Sequence, residues 1–159
     1  MLWSNKTIDL FHDRCREDIA YLDATGSIVK KAKGKTSPFY VYEVRNPFKG
    51  SSPVPVATYI TNDHTTASIS FFLGSFLTDV IRLHGRGAKQ RPVMLICDGS
   101  TVLMQSMAYN FCGVSLHEPL SRYYSIVTGQ AKHDCIGLPI MHRCLSHVMK
   151  NAKDLCRKQ

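Results

Sequence analysis

Residues 93–99 read VMLICDG, and this stretch decides the fold. Five apolar residues in a row, Val93 to Cys97, are typical of a central β-strand that is covered on both faces. Asp98 and Gly99 then end the strand and start a turn. The run therefore predicts a strand in the middle of a sheet, with an acidic side chain at its carboxyl end.

Helices are predicted before and after this strand. In the segment before it, apolar residues recur at the spacing of an amphipathic helix of about four turns. These residues are Ile69, Phe72, Leu73, Phe76, Leu77, Val80 and Ile81. Thr65 or Thr66 can cap that helix, and Gly85 or Gly87 can end it. A second helix is predicted over 101–111. Because a strand that follows a long helix favours a right-handed crossover, the central strand should pair in parallel.

The segments further out complete the pattern. Three strands precede the long helix, at 19–23, 39–44 and 54–60. A turn is predicted at 46–53. Downstream come a weakly patterned helix, a short strand and a last helix, at 114–128, 138–141 and 145–156. This order predicts one α/β domain whose five-stranded mixed sheet has three antiparallel strands, then parallel strands, and is flanked by helices. Residues 1–18 are expected to be an N-terminal lead-in, and 19–159 the domain.

The chain is basic. Twenty Lys and Arg against twelve Asp and Glu leave a net charge of +8 in 159 residues, which favours polyanions such as nucleic acid as partners. The basic residues form three clusters, of which the last closes the chain at 150–158, and the expected nucleic-acid contacts come from the other two. These contacts are Lys30, Lys31, Lys33, Lys35, Arg86, Lys89 and Arg91. A solvated surface is the simpler explanation for any single cluster, so the argument rests on their number.

The sequence lacks the features of secretion and membrane insertion. No apolar segment follows a basic start in residues 1–18. The longest uncharged run, Gly99 to Leu116, is interrupted by Ser, Gln and Asn, which is unlike a membrane span. The six cysteines are then expected to be reduced thiols. We therefore expect an intracellular protein without a membrane partner.

Two aspartates stand out because each ends a predicted apolar strand. Asp23 closes the first strand, and Asp98 closes the fourth. An ionisable side chain is costly to bury, so both are expected at the sheet edge, where parallel neighbouring strands would bring them together. Two close carboxylates repel each other unless a proton or a cation lies between them, and Mg²⁺ or Mn²⁺ accepts such oxygen ligands. The alternative is that each aspartate simply begins a turn.

Three motifs resemble those of the ribonuclease H-like DDE transposases, nearest to the Mutator-like and hAT groups. Tyr21-Leu-Asp23-Ala-Thr-Gly resembles their first-strand aspartate motif, and residues 93–99 resemble their fourth-strand aspartate motif. Cys144-Leu-Ser-His147, followed by an amphipathic helix, resembles their C-x-x-H signature. The resemblance covers nearly the whole chain. It implies a ribonuclease H-like fold in which Asp23 and Asp98 are catalytic and bind Mg²⁺ or Mn²⁺.

The resemblance also implies DNA as a partner, strand cleavage and transfer as the activity, and a nuclear location. A second copy of the chain or a downstream transposase segment would be the protein partner. One departure bears on activity, because the family carries a third acid, usually a glutamate, on a helix well beyond the C-x-x-H signature. Here Asp154 is the last acid and Glu118 precedes the signature, so neither matches. The expected core is C-terminally truncated and inactive alone.

Histidines and cysteines cluster after the second aspartate. His133, Cys135, Cys144 and His147 could supply the four nitrogen and sulfur ligands that zinc prefers. The usual C-x-x-C pair is absent, however, and the first two residues are closely spaced. The simpler interpretation places Cys144 and His147 on the first turn of the last helix, where they pack and cap. His64 is expected in a loop.

Two functions are consistent with these features. The first is a Mg²⁺-dependent DNA cleavage and transfer core that lacks its third carboxylate. The second is a non-catalytic DNA- or protein-binding module of the same fold, which keeps the basic surface. Binding of divalent metal separates the two.

Overall fold

The computed structural model describes residues 1–15, 19–26, 38–48, 51–131 and 139–157, which form one sheet and a layer of helices. The strands are β1 (Ile19–Gly26), β2 (Tyr40–Phe48), β3 (Ser51–Thr61), β4 (Met94–Cys97) and β5 (Ile140–Arg143). The helices are α1 (Asn5–Arg14), α2 (Thr66–His84), α3 (Thr101–Met107), α4 (His117–Val127) and α5 (Leu145–Cys156).

The sheet has the strand order β3-β2-β1-β4-β5. β1 pairs antiparallel with β2, and β2 antiparallel with β3. β4 pairs in parallel with β1 on one side and with β5 on the other. The predicted mixed sheet, with three antiparallel strands followed by parallel ones, is therefore confirmed.

The core lies between one face of this sheet and the helices. Ala20 and Leu22 of β1 are buried, as are Leu95 and Cys97 of β4, whereas the alternate residues of both strands are partly exposed. Since side chains alternate across a strand, one face of the sheet is packed and the other is only partly covered. The central place predicted for β4 is confirmed, but the prediction that both of its faces are covered is wrong.

Helix α2 supplies much of the core. It begins after Thr65, whose side chain accepts a hydrogen bond from the Ser68 N–H, and it ends at Gly85, as the sequence predicts. Its buried residues are Ile69, Phe72, Leu73, Phe76, Leu77 and Val80. With the following turn, the helix is long and apolar enough to cross a membrane by length and composition. The buried residues account for part of this apolar composition, whereas Phe71, Ile81 and Leu83 of the same helix are exposed.

The expected lead-in contains a helix that joins the same core. Ile8 and Phe11 of α1 are buried, and Phe11 packs edge-on against Phe76 with ring centres 5.0 Å apart. Before the helix, Trp3 Nε1 donates a hydrogen bond to Asp79 of α2 at 2.8 Å. Residue 2 forms an isolated antiparallel bridge with Thr58 on the outer edge of β3.

The turn predicted at 46–53 is wrong over most of its length. β2 continues to Phe48 and β3 begins at Ser51, with register shifts where the two strands pair. Of the two prolines that suggested a turn, Pro47 lies in β2, and Pro53 lies on the edge strand β3, where a missing N–H is tolerated. Asn46 is buried inside the sheet, and its side chain donates to the Ile19 carbonyl at 3.3 Å.

Strand β5 forms the other edge of the sheet. The Tyr123 hydroxyl of α4 donates a hydrogen bond to the Pro139 carbonyl at 2.6 Å. The same hydroxyl accepts one from the Met141 N–H at 3.0 Å. One side chain therefore satisfies two backbone groups of the edge strand.

Candidate metal site

Asp23 and Asp98 lie where the parallel pairing of β1 with β4 ends. The last registered pair between β1 and β4 is Leu22 opposite Cys97, and the two aspartates are the next residue on each chain. Asp98 follows β4 directly, as predicted. The prediction that Asp23 ends its strand is wrong, because β1 continues to Gly26 in pairing with β2. Asp23 instead marks the point where β1 separates from β4.

Backbone amides orient both carboxylates. Asp23 Oδ1 accepts a hydrogen bond from the Ala24 N–H at 3.0 Å, and Asp98 Oδ1 accepts one from the Ser100 N–H at 2.7 Å. In each case the second oxygen has no hydrogen bond within the described residues. Both side chains line a cavity of about 130 Å³, together with Arg45, Cys144 and His147. The two carboxylates and the C-x-x-H pair, which lie far apart in sequence, are thus brought to one site.

The sheet register adds a carboxylate that sequence reasoning missed. Glu43 of β2 is the cross-strand partner of Asp23, so both side chains leave the same face of the sheet. Arg45, two residues further on, holds Glu43 through its Nε at 2.8 Å. Glu43 is therefore already paired with a cation. In the sequence, Glu43 alternates with the apolar residues Tyr42 and Val44, which indicates that Glu43 leaves the opposite face of the strand. Only the pairing of β2 with β1 shows that Asp23 is its neighbour.

Cys144 and His147 begin helix α5, in agreement with the simpler interpretation of the sequence. The pKa of Cys144 is lowered from its ordinary value, mainly because the backbone N–H of His147 faces its sulfur. Partial burial acts in the opposite direction, and the His147 side chain adds to the lowering. His147 Nδ1 is buried and has no hydrogen-bond partner within the described part of the chain. His133 and Cys135, the other two expected zinc ligands, lie outside the described residues.

A second thiol beside Cys144 behaves in the opposite way. Cys97 lies in the same cavity wall, and its carbonyl accepts a hydrogen bond from the Cys144 N–H at 2.6 Å. Burial raises the pKa of the Cys97 thiol to about 11. Cys144 therefore forms the reactive thiolate at a lower pH than Cys97 does.

We expect iodoacetamide to modify Cys144 at a lower pH than an ordinary thiol and to leave Cys97 unmodified. A lowered pKa means that the thiolate forms earlier as the pH rises, so the pH midpoint of the Cys144 alkylation rate lies below that of a cysteine peptide. His147→Ala should move this midpoint upward, because it removes the contribution of the side chain. Peptide mapping by mass spectrometry across pH 6 to 10, a range of about four units around the thiol pKa, measures both sites. Equal rates at Cys97 and Cys144 would contradict the assignment.

His64 lies beside the buried Tyr42 near the same edge. The Tyr42 hydroxyl and His64 Nδ1 share a hydrogen bond, and the His64 ring stacks on Tyr40 with centres 5.0 Å apart. Burial first, then the neighbouring Tyr40, Asp63 and Asp98 groups, raise the pKa of Tyr42. His64 lies in the loop between β3 and α2, as predicted, and its contacts with Tyr40 and Tyr42 hold that loop against the sheet.

The expected nucleic-acid contacts do not all lie at this edge. Arg86, Lys89 and Arg91 belong to the connection that enters β4 at Met94, whereas Asp98 follows the other end of the strand. Four residues of strand, about 13 Å, separate the two ends. The expected contacts Lys30, Lys31, Lys33 and Lys35 lie outside the described residues. Gly26 and Tyr40, which bracket that segment, pair with each other at the carboxyl end of β1.

The two carboxylates fit a divalent cation that binds oxygen. Mg²⁺ is commonly held by one or two carboxylates and keeps several waters, and Asp23 and Asp98 each have an oxygen to offer. Across the described residues, no group of three or more His, Cys, Asp or Glu side chains is close enough to hold a metal ion. The pair is therefore an open site that depends on water or a ligand for its remaining contacts. No protein-family model matches the chain, and no curated protein matches it significantly.

Proposed function

We propose that the domain is ribonuclease H-like and is the catalytic core of a Mg²⁺-dependent DNA strand cleavage and transfer protein of the transposase type. One observation carries the proposal: Asp23 and Asp98 each follow the last registered pair of the adjacent parallel strands β1 and β4, and they line one cavity. This juxtaposition, in a sheet of order β3-β2-β1-β4-β5, is what the resemblance of the motifs leads us to expect.

The roles of the residues follow from their contacts. Asp23 and Asp98 would bind the cation through their free oxygens, while the Ala24 and Ser100 amides fix the carboxylate planes. Divalent cations held by these carboxylates would supply the Lewis-acid chemistry that phosphodiester cleavage and transfer need. The basic residues of the chain would hold the DNA backbone by neutralising phosphates.

The core is proposed to be inactive alone, because the described residues bring no third acid to the cavity. Asp154 is exposed on α5, and Glu118 is paired with Arg122 on α4 at 3.2 Å. Glu43 lies opposite Asp23 but is held by Arg45. A third carboxylate from another segment or another chain would complete the site.

We expect the 159-residue chain to bind duplex DNA without sequence preference and to leave it uncut. Affinity should fall steeply as the salt concentration rises, because each phosphate contact contributes about 0.9 to the slope of log K against log salt. Fluorescence anisotropy over a salt titration measures binding, and a supercoiled-plasmid assay with Mn²⁺ measures nicking. Replacing Lys30, Lys31, Lys33 and Lys35 with Ala should lower the slope more than replacing Arg86, Lys89 and Arg91, because only the first set is bracketed by residues at the carboxyl edge.

The same assays can overturn the proposal. Nicking that disappears in Asp23→Asn would show that the chain is active alone, and variants at Asp154, Glu118 and Glu43 would then identify the acid. An equal slope change in the two sets of variants would contradict DNA binding at the carboxyl edge.

The second candidate function is a non-catalytic DNA- or protein-binding module of the same fold. It is favoured by the absence, within the described residues, of any group of three metal-binding side chains. In that case the chain binds DNA with the same salt dependence, but Mn²⁺ does not bind and its addition changes nothing. If the chain also binds no DNA, a protein-binding module is the hypothesis that remains.

A further inference from the structure

Arg143 is placed beside the candidate metal site by the pairing of β5 with β4. It is the register partner of Cys97, the residue before Asp98. Its side chain extends over the turn that follows Asp98, and it lies against Gly99. A Cβ built on Gly99 would collide with Arg143 Nε and would lie 3.0 Å from its Cζ and 3.1 Å from its Cδ. An alanine at position 99 would therefore displace the Arg143 side chain from this position.

Arg143 forms no ion pair with a carboxylate of the described residues. Arg45, the other arginine at this edge, is paired with Glu43, and Arg122 is paired with Glu118. Arg143 is exposed and has no ion pair in the described part of the chain. Its charge nevertheless reaches the neighbouring groups, since it opposes the rise that burial causes in the pKa of Cys97. An available cation thus lies next to a pair of carboxylates.

We propose that Arg143 binds a backbone phosphate of DNA at the Asp23–Asp98 edge, and that Gly99 is required there to leave room for its guanidinium. The proposal rests on the proposed function, in which that edge receives the DNA. Guanidinium donors match phosphate oxygens in a bidentate geometry. Arg143 is also the described arginine at this edge without a carboxylate partner, whereas Arg86 and Arg91 precede the amino end of β4.

A purely structural role would predict something different. If Arg143 only packs on the turn, its removal lowers the stability of the domain and leaves the salt dependence of DNA binding unchanged. The tests therefore measure DNA affinity and its salt slope for each variant, with the thermal unfolding midpoint recorded alongside.

The first test compares Arg143→Ala with Arg82→Ala, an exposed arginine on α2 whose guanidinium is paired with Asp79 at 3.2 Å. Anisotropy with a fluorescent duplex, in Ca²⁺ to prevent cleavage, should show a salt slope reduced by about 1 for Arg143→Ala. Affinity at low salt should fall by several-fold, and Arg143→Lys should restore part of it. Arg82→Ala should match the wild type, because its charge is already paired with Asp79. Identical slopes for Arg143→Ala and the wild type would overturn the proposal.

The second test uses glycines and leaves the arginine in place. Gly99 and Gly113 both have a positive φ, +87° and +72°, so an alanine is strained at either position. A Cβ on Gly113 would meet nothing within 4 Å, which makes Gly113→Ala a control for backbone strain alone. Gly99→Ala should reproduce the DNA-binding defect of Arg143→Ala, and Gly113→Ala should not. Equal DNA binding by the two glycine variants would overturn the role of Gly99.

Failure of the proposed function has a separate signature. If the wild type binds no duplex DNA, the proposed function is wrong and the role of Arg143 falls with it. If the wild type binds DNA and all arginine variants behave alike, only the role of Arg143 is overturned.

Discussion

Asp98→Asn is expected to remove most of the binding of Mn²⁺ to this chain. The wild-type site has two carboxylates and no complete cage, so its dissociation constant should be on the order of millimolar rather than tighter. Asparagine keeps the oxygen that accepts the Ser100 N–H at 2.7 Å, but it removes the charge that attracts the cation. Isothermal calorimetry, or paramagnetic broadening of nuclear resonances by Mn²⁺, measures the loss.

Two further variants serve as a second test and as a control for this measurement. Asp23→Asn should have a similar effect, because Asp23 lines the same cavity. Asp154→Asn, an exposed aspartate on α5, should bind Mn²⁺ like the wild type. Unchanged binding in Asp98→Asn would reject the metal site, and a loss in Asp154→Asn would identify that residue as a ligand.

Phe11→Ala is expected to lower the free energy of unfolding by about 3–5 kcal/mol, as large-to-small substitutions of buried aromatic residues do. Phe11 has no exposed surface, and it contacts Phe76 and Phe111, with ring centres 5.0 Å and 6.5 Å away. An alanine there leaves a cavity between α1 and the rest of the core. Urea unfolding followed by circular dichroism measures the change.

The matched control is Phe71→Ala. Phe71 lies on α2 with 66% of its surface exposed, so its loss should change stability by less than about 0.5 kcal/mol. The single tryptophan, Trp3, packs on Phe72 and Phe76 and gives a second probe of α1. Coincident transitions by fluorescence and circular dichroism would show that α1 unfolds with the domain. A small loss in Phe11→Ala would contradict the packing of α1 in the core.

The elements that the sequence predicts well are those whose pattern is decided by burial alone. α2 has a long apolar stripe between a threonine cap and a glycine, and it forms with the predicted ends. The last helix, 145–156, likewise has the predicted bounds. α1 was missed because Ile8 and Phe11 are its only buried residues, and the charged residues Lys6, Asp9, Asp13 and Arg14 hide the helical period.

The candidate site divides in the same way. The approach of Asp23 to Asp98 could be predicted, because parallel neighbouring strands bring their carboxyl ends together. Glu43 and Arg143 could not, because their positions depend on which residue of one strand faces which residue of the next. Such register is fixed by the pairing of whole strands and cannot be read from either strand alone.

The hydroxyl of Tyr123 has a consequence for how copies of this domain can associate. Unpaired backbone groups on an edge strand are a template for pairing with another chain. Tyr123 already occupies the Pro139 carbonyl and the Met141 N–H on the β5 side. On the β3 side, Leu2 occupies both backbone groups of Thr58, and Pro53 and Pro55 have no N–H to offer. Both margins of the sheet are thus blocked at these positions, so a second copy could pair with the sheet there only after these contacts break.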